Sequence, residues 1–176
     1  DEETKHDFEI QLPDVGEFPK ETLLGFEKEV LGVYISGHPL EEYEEKWRKN
    51  ISATTNDFIW DEETGKTKVS DNEKVIVGGM ITDKTIKYTK NNKTMAFLTL
   101  EDLLGTVEVI VFPRDYERYH TYLNVDEKIF VSGHANVEED KNGKIICEKI
   151  YGFDDTKKEL WMQFATKEEY QQMEQK

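Results

Sequence analysis

Cysteine and long apolar stretches are both scarce in this chain of 176 residues, whose single cysteine is Cys147. One cysteine cannot form a disulfide within the chain, so the sequence excludes a disulfide-stabilised secreted fold and fits a reducing cytoplasm. No run approaches the roughly 20 apolar residues that a membrane-spanning helix needs, and the first residues, DEETKHDF, do not have the order of a signal peptide. We therefore expect a cytoplasmic protein with no membrane partner, in which Cys147 is a buried, unreactive thiol.

Groups that carry out chemistry are also sparse. A lone cysteine cannot complete a zinc site, and the histidines have no metal-ligand spacing. The sequence lacks a glycine-rich phosphate loop, a nucleophile elbow and an HExxH motif. We expect no catalytic residue, no metal site and no cofactor, and a packing or helix-capping role for His38. The four histidines are His6, His38, His120 and His134.

Positive charge is in deficit, because 23 Lys and Arg stand against 38 Asp and Glu and give a net charge of −15. Such a balance argues against a polyanionic partner, since nucleic-acid affinity depends on cations that displace counterions. Residues 73–101 reverse it, with three acids against five lysines. Four of these lysines fall within ten residues, at Lys84, Lys87, Lys90 and Lys93. They fit either a phosphate-binding surface or a solvated hairpin tip.

The clearest strand pattern lies in the same part of the chain. Apolar runs at 75–86, 94–100 and 107–112 are separated by the lysine-rich segment and by a glycine turn, which predicts a three-stranded antiparallel meander. Within the first run, Gly78-Gly79 marks a bulge or bend at which one long strand could serve both sides of a small barrel.

The chain after the meander completes a recognisable strand order. A short helix is predicted from Pro113, followed by strands at 127–137 and 144–153 that are joined by the hairpin signal Asn142-Gly143. Three strands, a helix and two strands are the order of the OB-fold, a five-stranded Greek-key barrel. We therefore predict a mainly β protein built on this barrel, with an N-terminal α-helical extension.

Helical patterns precede the predicted barrel. Apolar spacing predicts an amphipathic helix from Lys20 to about Ile35, closed by Gly37, and a second short helix within 41–50. The tail has strand and helix patterns but too little apolar surface for a domain, so we expect it to be truncated. The predicted division is an acidic extended lead-in at 1–17, a helical segment at 18–50, a linker or irregular wrap at 51–73, the OB-fold domain at 74–154 and the start of a truncated C-terminal domain at 155–176.

An OB barrel presents its second and third strands, and the loop between strands one and two, to single-stranded nucleic acid. Aromatic side chains there stack on bases at roughly 1–3 kcal/mol each with little sequence preference, while lysines pair with phosphates. Glu101 and Glu108 lie on the same predicted outward face and would repel phosphates. The predicted nucleic-acid-binding residues are Lys84, Lys87, Tyr88, Lys90, Lys93, Phe97 and Phe112.

Two motifs in this order resemble a known family. Residues 27–40, EKEVLGVYISGHPL, and residues 77–119, VGGMITDKTIKYTKNNKTMAFLTLEDLLGTVEVIVFPRDYERY, are similar to the C-terminal region of the α subunit of bacterial DNA polymerase III. The resemblance covers roughly residues 12 to 164 and implies an OB domain that binds single-stranded template DNA. The family's catalytic carboxylates match nothing here, which implies a non-catalytic fragment of a DNA-directed DNA polymerase, a nucleotidyltransferase of DNA replication.

The resemblance also implies partners. In that family the OB domain contacts other domains of the α subunit, and flanking segments bind the sliding clamp and the τ subunit of the clamp loader. No clamp-binding pentapeptide is visible in this sequence, and the tail from Lys158 resembles only the first strand and helix of the τ-contacting domain. Clamp and τ contacts are therefore expected only through segments missing from this chain.

Two other interpretations remain open. In the first, the chain is a protein-interaction module whose acidic helices and aromatic barrel face dock on other polymerase domains or replisome subunits, and Phe97 suits a protein contact as well as a base. In the second, the barrel is the anticodon-binding OB domain of an aminoacyl-tRNA synthetase. This second interpretation leaves the SGHPL helix unexplained.

Overall fold

The structure is a computed structural model that describes Gly16, residues 18–32 and residues 34–155, with the side chain of Glu21 left out. The strand and helix predicted after residue 158, and nearly all of the predicted lead-in, lie outside the described residues. The chain divides into two compact units, residues 1–39 and residues 40–176.

The first unit contains the amphipathic helix α1 (Lys20–Leu31). It ends earlier than predicted, because Gly32 takes the left-handed conformation (φ 74°) and its N–H donates to the carbonyl of Lys28 at 3.0 Å. The closure predicted at Gly37 is therefore wrong. Beyond the helix, the carboxylate of Glu27 accepts backbone N–H bonds from Ile35 (2.8 Å) and Ser36 (2.9 Å). The hydroxyl of Ser36 and these N–H groups lower the pKa of Glu27, and the bonds tie residues 35–36 back to the helix.

The second unit is a closed barrel of five strands, which confirms the predicted OB-fold. The strand order around the barrel is β1-β2-β3-β5-β4, with β3 and β5 parallel and the other pairs antiparallel. Helix α3 (Pro113–Tyr119) connects β3 to β4, with proline in its first turn as predicted. The strands are β1 (Lys74–Tyr88), β2 (Thr94–Glu101), β3 (Thr106–Val111), β4 (Lys128–Asn136) and β5 (Lys144–Gly152).

Strand β1 serves two neighbours, as predicted from its length and glycines. Its first half pairs with β4, its second half pairs with β2, and a bulge lies between Ile81 and Asp83. A Cβ on Gly78 would lie 2.6 Å from the ring of Phe130, and a Cβ on Gly79 would lie 2.5 Å from the carbonyl oxygen of Glu101. Glycine is needed at both positions because neighbouring groups occupy the space of a side chain.

The barrel core follows the predicted alternation. Alternate residues of β2 and β3 point inward and are at most 5% exposed, while the residues between them are half-buried on the outward face or, at Thr106, exposed. The free thiol of Cys147 also lies in this core, and burial raises its pKa to about 12. The inward residues of the two strands are Ala96, Leu98, Leu100, Val107, Val109 and Val111.

An aromatic cluster closes one side of the barrel. Helix α2 (Glu44–Asn50) follows a single 3₁₀ turn and buries Trp47 completely. The indole Nε1 of Trp47 donates to the carbonyl of Gly78 at 2.7 Å. Phe130 and Phe153 stack in the same cluster with ring centroids 4.2 Å apart. The helix predicted within 41–50 is thus a packed part of the barrel unit.

Residues 51–73 pack against the barrel. Ala53, Phe58 and Val69 enter the barrel core. The buried carboxylate of Asp102, in the β2–β3 turn, accepts bonds from the N–H (2.9 Å) and hydroxyl (2.7 Å) of Thr55. It also accepts the turn N–H groups of residues 104 and 105. The wrap and the turn therefore share one buried carboxylate.

Candidate nucleic-acid interface

Half of the lysine-rich segment from Lys84 to Lys93, predicted as the loop between the first two strands, is strand, because its first five residues belong to β1. Strand β1 continues to Tyr88 and β2 begins at Thr94, so the connection is only five residues long. It is closed by the N–H of Thr89 donating to the carbonyl of Lys93 at 2.9 Å, and Asn92 takes a left-handed conformation (φ 56°). Of the four lysines, Lys90 and Lys93 are in this turn.

Strand pairing separates the remaining candidates onto two faces. Lys84 lies opposite the inward-facing Leu98, and Tyr88 lies further along the same side. Lys87 lies opposite Met95, on the outward face that also carries Phe97. Lys84 and Tyr88 therefore do not share a surface with Phe97 and Lys87. Side chains alternate between the two faces of a strand, so the sequence predicts this separation if β1 is taken to extend to Tyr88.

Phe97 and Lys87 form a pair at the centre of the outward face. The ammonium of Lys87 lies 4.4 Å from the centroid of the Phe97 ring, which is half-buried. This cation–π contact contributes roughly 0.5–1 kcal/mol at an exposed site. A base that stacks on Phe97 would displace the ammonium, which could then pair with a phosphate of the same strand.

A row of apolar side chains continues from Phe97 across the barrel. Pairing places Thr85, Phe97, Ile110 and Ile146 beside one another on four neighbouring strands. Phe112 follows β3 as the residue before helix α3 and is 44% exposed. The face thus offers a half-buried apolar surface with a lysine hairpin at one end.

The outward glutamates differ in their surroundings. Glu108 lies 2.8 Å from the ammonium of Lys144, which neutralises much of its charge on this face. Glu101 pairs with Thr106 at the end of β2 away from the lysine hairpin. Lys144 is not recognisable as a site residue from sequence patterns, because only the parallel pairing of β3 with β5 brings it beside Glu108. The predicted repulsion is accordingly weaker than the sequence suggests.

The described residues contain no group of three or more His, Cys, Asp or Glu side chains that could hold a metal ion. Within the same residues, no helix is long and apolar enough to cross a membrane. The described histidines make local contacts: the ring of His120 lies beside Tyr116, and its Nδ1 lies 3.2 Å from the carbonyl oxygen of Glu117. His134 Nδ1 lies 2.9 Å from the carboxylate of Glu148, and the ring of His38 packs edge-on against Tyr34.

The barrel region is similar to a known domain family. Residues 75–151 match the family model described as OB-fold nucleic acid binding domain. Together with the closed five-stranded barrel, this match identifies residues 75–151 as an OB-fold nucleic-acid-binding domain.

The chain also belongs to a particular family, that of the DNA polymerase III α subunits. It is 33% identical over 138 residues to the DNA polymerase III subunit alpha of Aquifex aeolicus, covering 78% of this chain. It is 35% identical over 134 residues to that of Borreliella burgdorferi, covering 76%. The chain spans about 11% of the length of these curated relatives. The resemblance inferred from the two sequence motifs is confirmed.

A solved structure has a similar fold. The SSB domain of a Synechococcus protein superimposes with a TM-score of 0.41 and 9% identity, covering 47% of this chain and 97% of that domain. A similarity at this level does not bear on function.

Proposed function

We propose that the chain is the single-stranded DNA-binding OB module of a replicative DNA polymerase and that it holds the unpaired template strand with little sequence specificity. The observation that carries the proposal is the pairing of Lys87 with the ring of Phe97 on the outward face, next to a hairpin turn with two further lysines. A stacking platform beside phosphate-binding cations is the arrangement by which OB-folds bind single strands.

The test is a titration of labelled oligo-dT, followed by fluorescence anisotropy over a range of salt concentrations. Lys87, Lys90 and Lys93 can face one strand, whereas Lys84 lies on the other side of β1. Three phosphate contacts predict a slope of about −2 for log K against log salt, given roughly −0.7 per contact on a single strand. A flat salt response would contradict the proposal.

We expect weak affinity for the isolated chain, in the micromolar range or weaker. The net charge of −15 opposes the approach of a polyanion, and only a few lysines offset it locally. Contacts of the complete polymerase with clamp and τ remain predictions from the family resemblance.

Docking on other parts of the polymerase is a second candidate function, for the first unit. The apolar residues Phe26, Val30 and Ile35 are 49%, 78% and 70% exposed. Because the chain spans about 11% of its relatives' length, the proposed occupant of this surface is another domain of the same α subunit. The expected result is slower hydrogen exchange at residues 18–32 in a complete α subunit than in this chain, and equal rates would contradict it.

A further inference from the structure

A cavity of about 250 Å³ opens on the outward face beyond the apolar row. Thr99, Thr106 and Glu108 of the β2–β3 pair form one wall, and Asn142 of the β4–β5 loop lies across from them. Phe58 and Ile59 of the wrap provide its apolar side. The cavity is therefore built from the barrel and from a segment outside the barrel.

Two hydrogen bonds hold the walls of this cavity in place. The N–H of Gly143 donates to the carbonyl of Phe58 at 2.7 Å, and the N–H of Trp60 donates to the side-chain oxygen of Asn142 at 2.9 Å. These bonds join the wrap to the β4–β5 loop. A preformed cavity binds without first paying the entropy of ordering its walls.

The position of the cavity follows from the register of β2. Thr99 lies two residues from Phe97 on the same outward face, a distance of about 7 Å along a strand. A nucleic-acid strand that follows β2 from Phe97 toward Thr99 would bring its next base to the cavity.

The chemistry of the cavity suits a base better than a phosphate. Its cation, Lys144, is already paired with Glu108 at 2.8 Å, and Phe58 and Ile59 give it an apolar side. The carboxylate of Glu108 is a hydrogen-bond acceptor and the ammonium of Lys144 is a donor. Together they can bind the edge of an unpaired base, which carries both donors and acceptors. The volume is below the roughly 300–1,000 Å³ of pockets for drug-sized ligands, as expected for one ring system.

We propose that this cavity binds one unpaired nucleobase, next to the base that stacks on Phe97. The inference rests on the proposed binding of single-stranded DNA and adds a second, separate base contact to it.

The test compares two oligomers of equal length and phosphate charge, oligo-dT and a fully abasic tetrahydrofuran oligomer, by NMR titration of the whole chain. Oligo-dT is expected to shift the methyl signals of Ile59 and Thr106 and the amide signal of Gly143. The abasic oligomer is expected to shift only the signals of the lysine hairpin.

Three results would overturn the inference, and they are distinguishable. Equal shifts of the cavity signals with both oligomers would make it a phosphate site. Unchanged cavity signals with a clear response at Phe97 would refute the cavity while leaving single-strand binding intact. No response at any signal would refute both.

A matched pair of substitutions supplies a second measurement. Ile59 and Val125 are 49% and 48% exposed, and Val125 lies outside the cavity. Ile59→Ser is expected to weaken oligo-dT binding about fivefold, the lower end of one base contact, and to leave binding of the abasic oligomer unchanged. Val125→Ser is expected to alter neither. Equal affinities of the Ile59→Ser variant and the unaltered chain for oligo-dT would contradict the inference.

Discussion

At the scale of single residues, the positive charge of the outward face depends on which side of β1 each lysine occupies. Lys87 lies on the side of Phe97, whereas Lys84 lies opposite the inward-facing Leu98. Two residues of the same type and charge on one strand thus have different expected roles.

Lys87→Ala is therefore expected to weaken oligo-dT binding severalfold and to reduce the magnitude of the salt slope by about 0.7, the contribution of one phosphate contact. Lys84→Ala is the matched control, with little expected change in slope. Salt-dependent anisotropy measures both. Equal losses of slope in the two variants would show that strand alternation does not govern binding.

Phe97 is expected to contribute through stacking rather than charge. Phe97→Ala should lower affinity for oligo-dT by at least fivefold, because stacking contributes roughly 1–3 kcal/mol per base, and should leave the salt slope nearly unchanged. Leu104→Ala, at a 48% exposed position in the β2–β3 turn, is the control. A Phe97→Ala variant with unchanged affinity would favour a protein contact for this ring.

Asp102 is the residue whose loss should cost stability rather than binding. Its buried carboxylate accepts four hydrogen bonds from Thr55, Leu104 and Gly105. Asp102→Asn replaces an acceptor with a donor among these groups, so we expect a loss of about 2–4 kcal/mol in the free energy of unfolding by urea. Asp140→Asn, on an exposed loop, should change it by less than about 0.5 kcal/mol. Similar values for both variants would contradict the account.

At the scale of elements, sequence patterns predict the strands of the barrel better than the segments that connect and cover them. Period-two alternation in β2 and β3 and the Asn142-Gly143 turn were sufficient to predict the order of the OB-fold, since each is a local signal. The outer end of β1 gives no such signal, because its last four residues, polar and apolar alike, are all exposed. The alternation that identifies a strand depends on one buried face.

Long-range packing accounts for the other differences. The wrap at 51–73 buries a few apolar residues separated by polar ones, so it has no period to detect. The Glu108–Lys144 pair and the cavity require β3 and β5 to be parallel neighbours, which no local pattern encodes. The candidate site was thus predictable as a face of the barrel, but its charge balance was not.

Through the aromatic cluster, residues 40–50 are expected to be necessary for the stability of the barrel. Trp47 is fully buried and donates to Gly78, so Trp47→Ala is expected to lower the free energy of unfolding by about 3–5 kcal/mol. Trp60→Ala, at a half-buried position, should cost less than half as much. Denaturant unfolding measures both. Equal losses in the free energy of unfolding would mean that residues 40–50 do not stabilise the barrel.

At the scale of the whole molecule, an acidic chain has a small outward surface on which positive charge and a stacking ring coincide. The net charge of −15 and the reversed balance of residues 73–101 together predict binding that is weak, local and sensitive to salt.

The central claim is that this outward face binds an unpaired strand. Chemical-shift mapping of the whole chain with oligo-dT tests it most directly, because each residue reports separately. Shifts are expected at Lys87, Phe97, Ile110 and the turn at 89–93. Shifts confined to residues 18–50, with the barrel face unchanged, would contradict it.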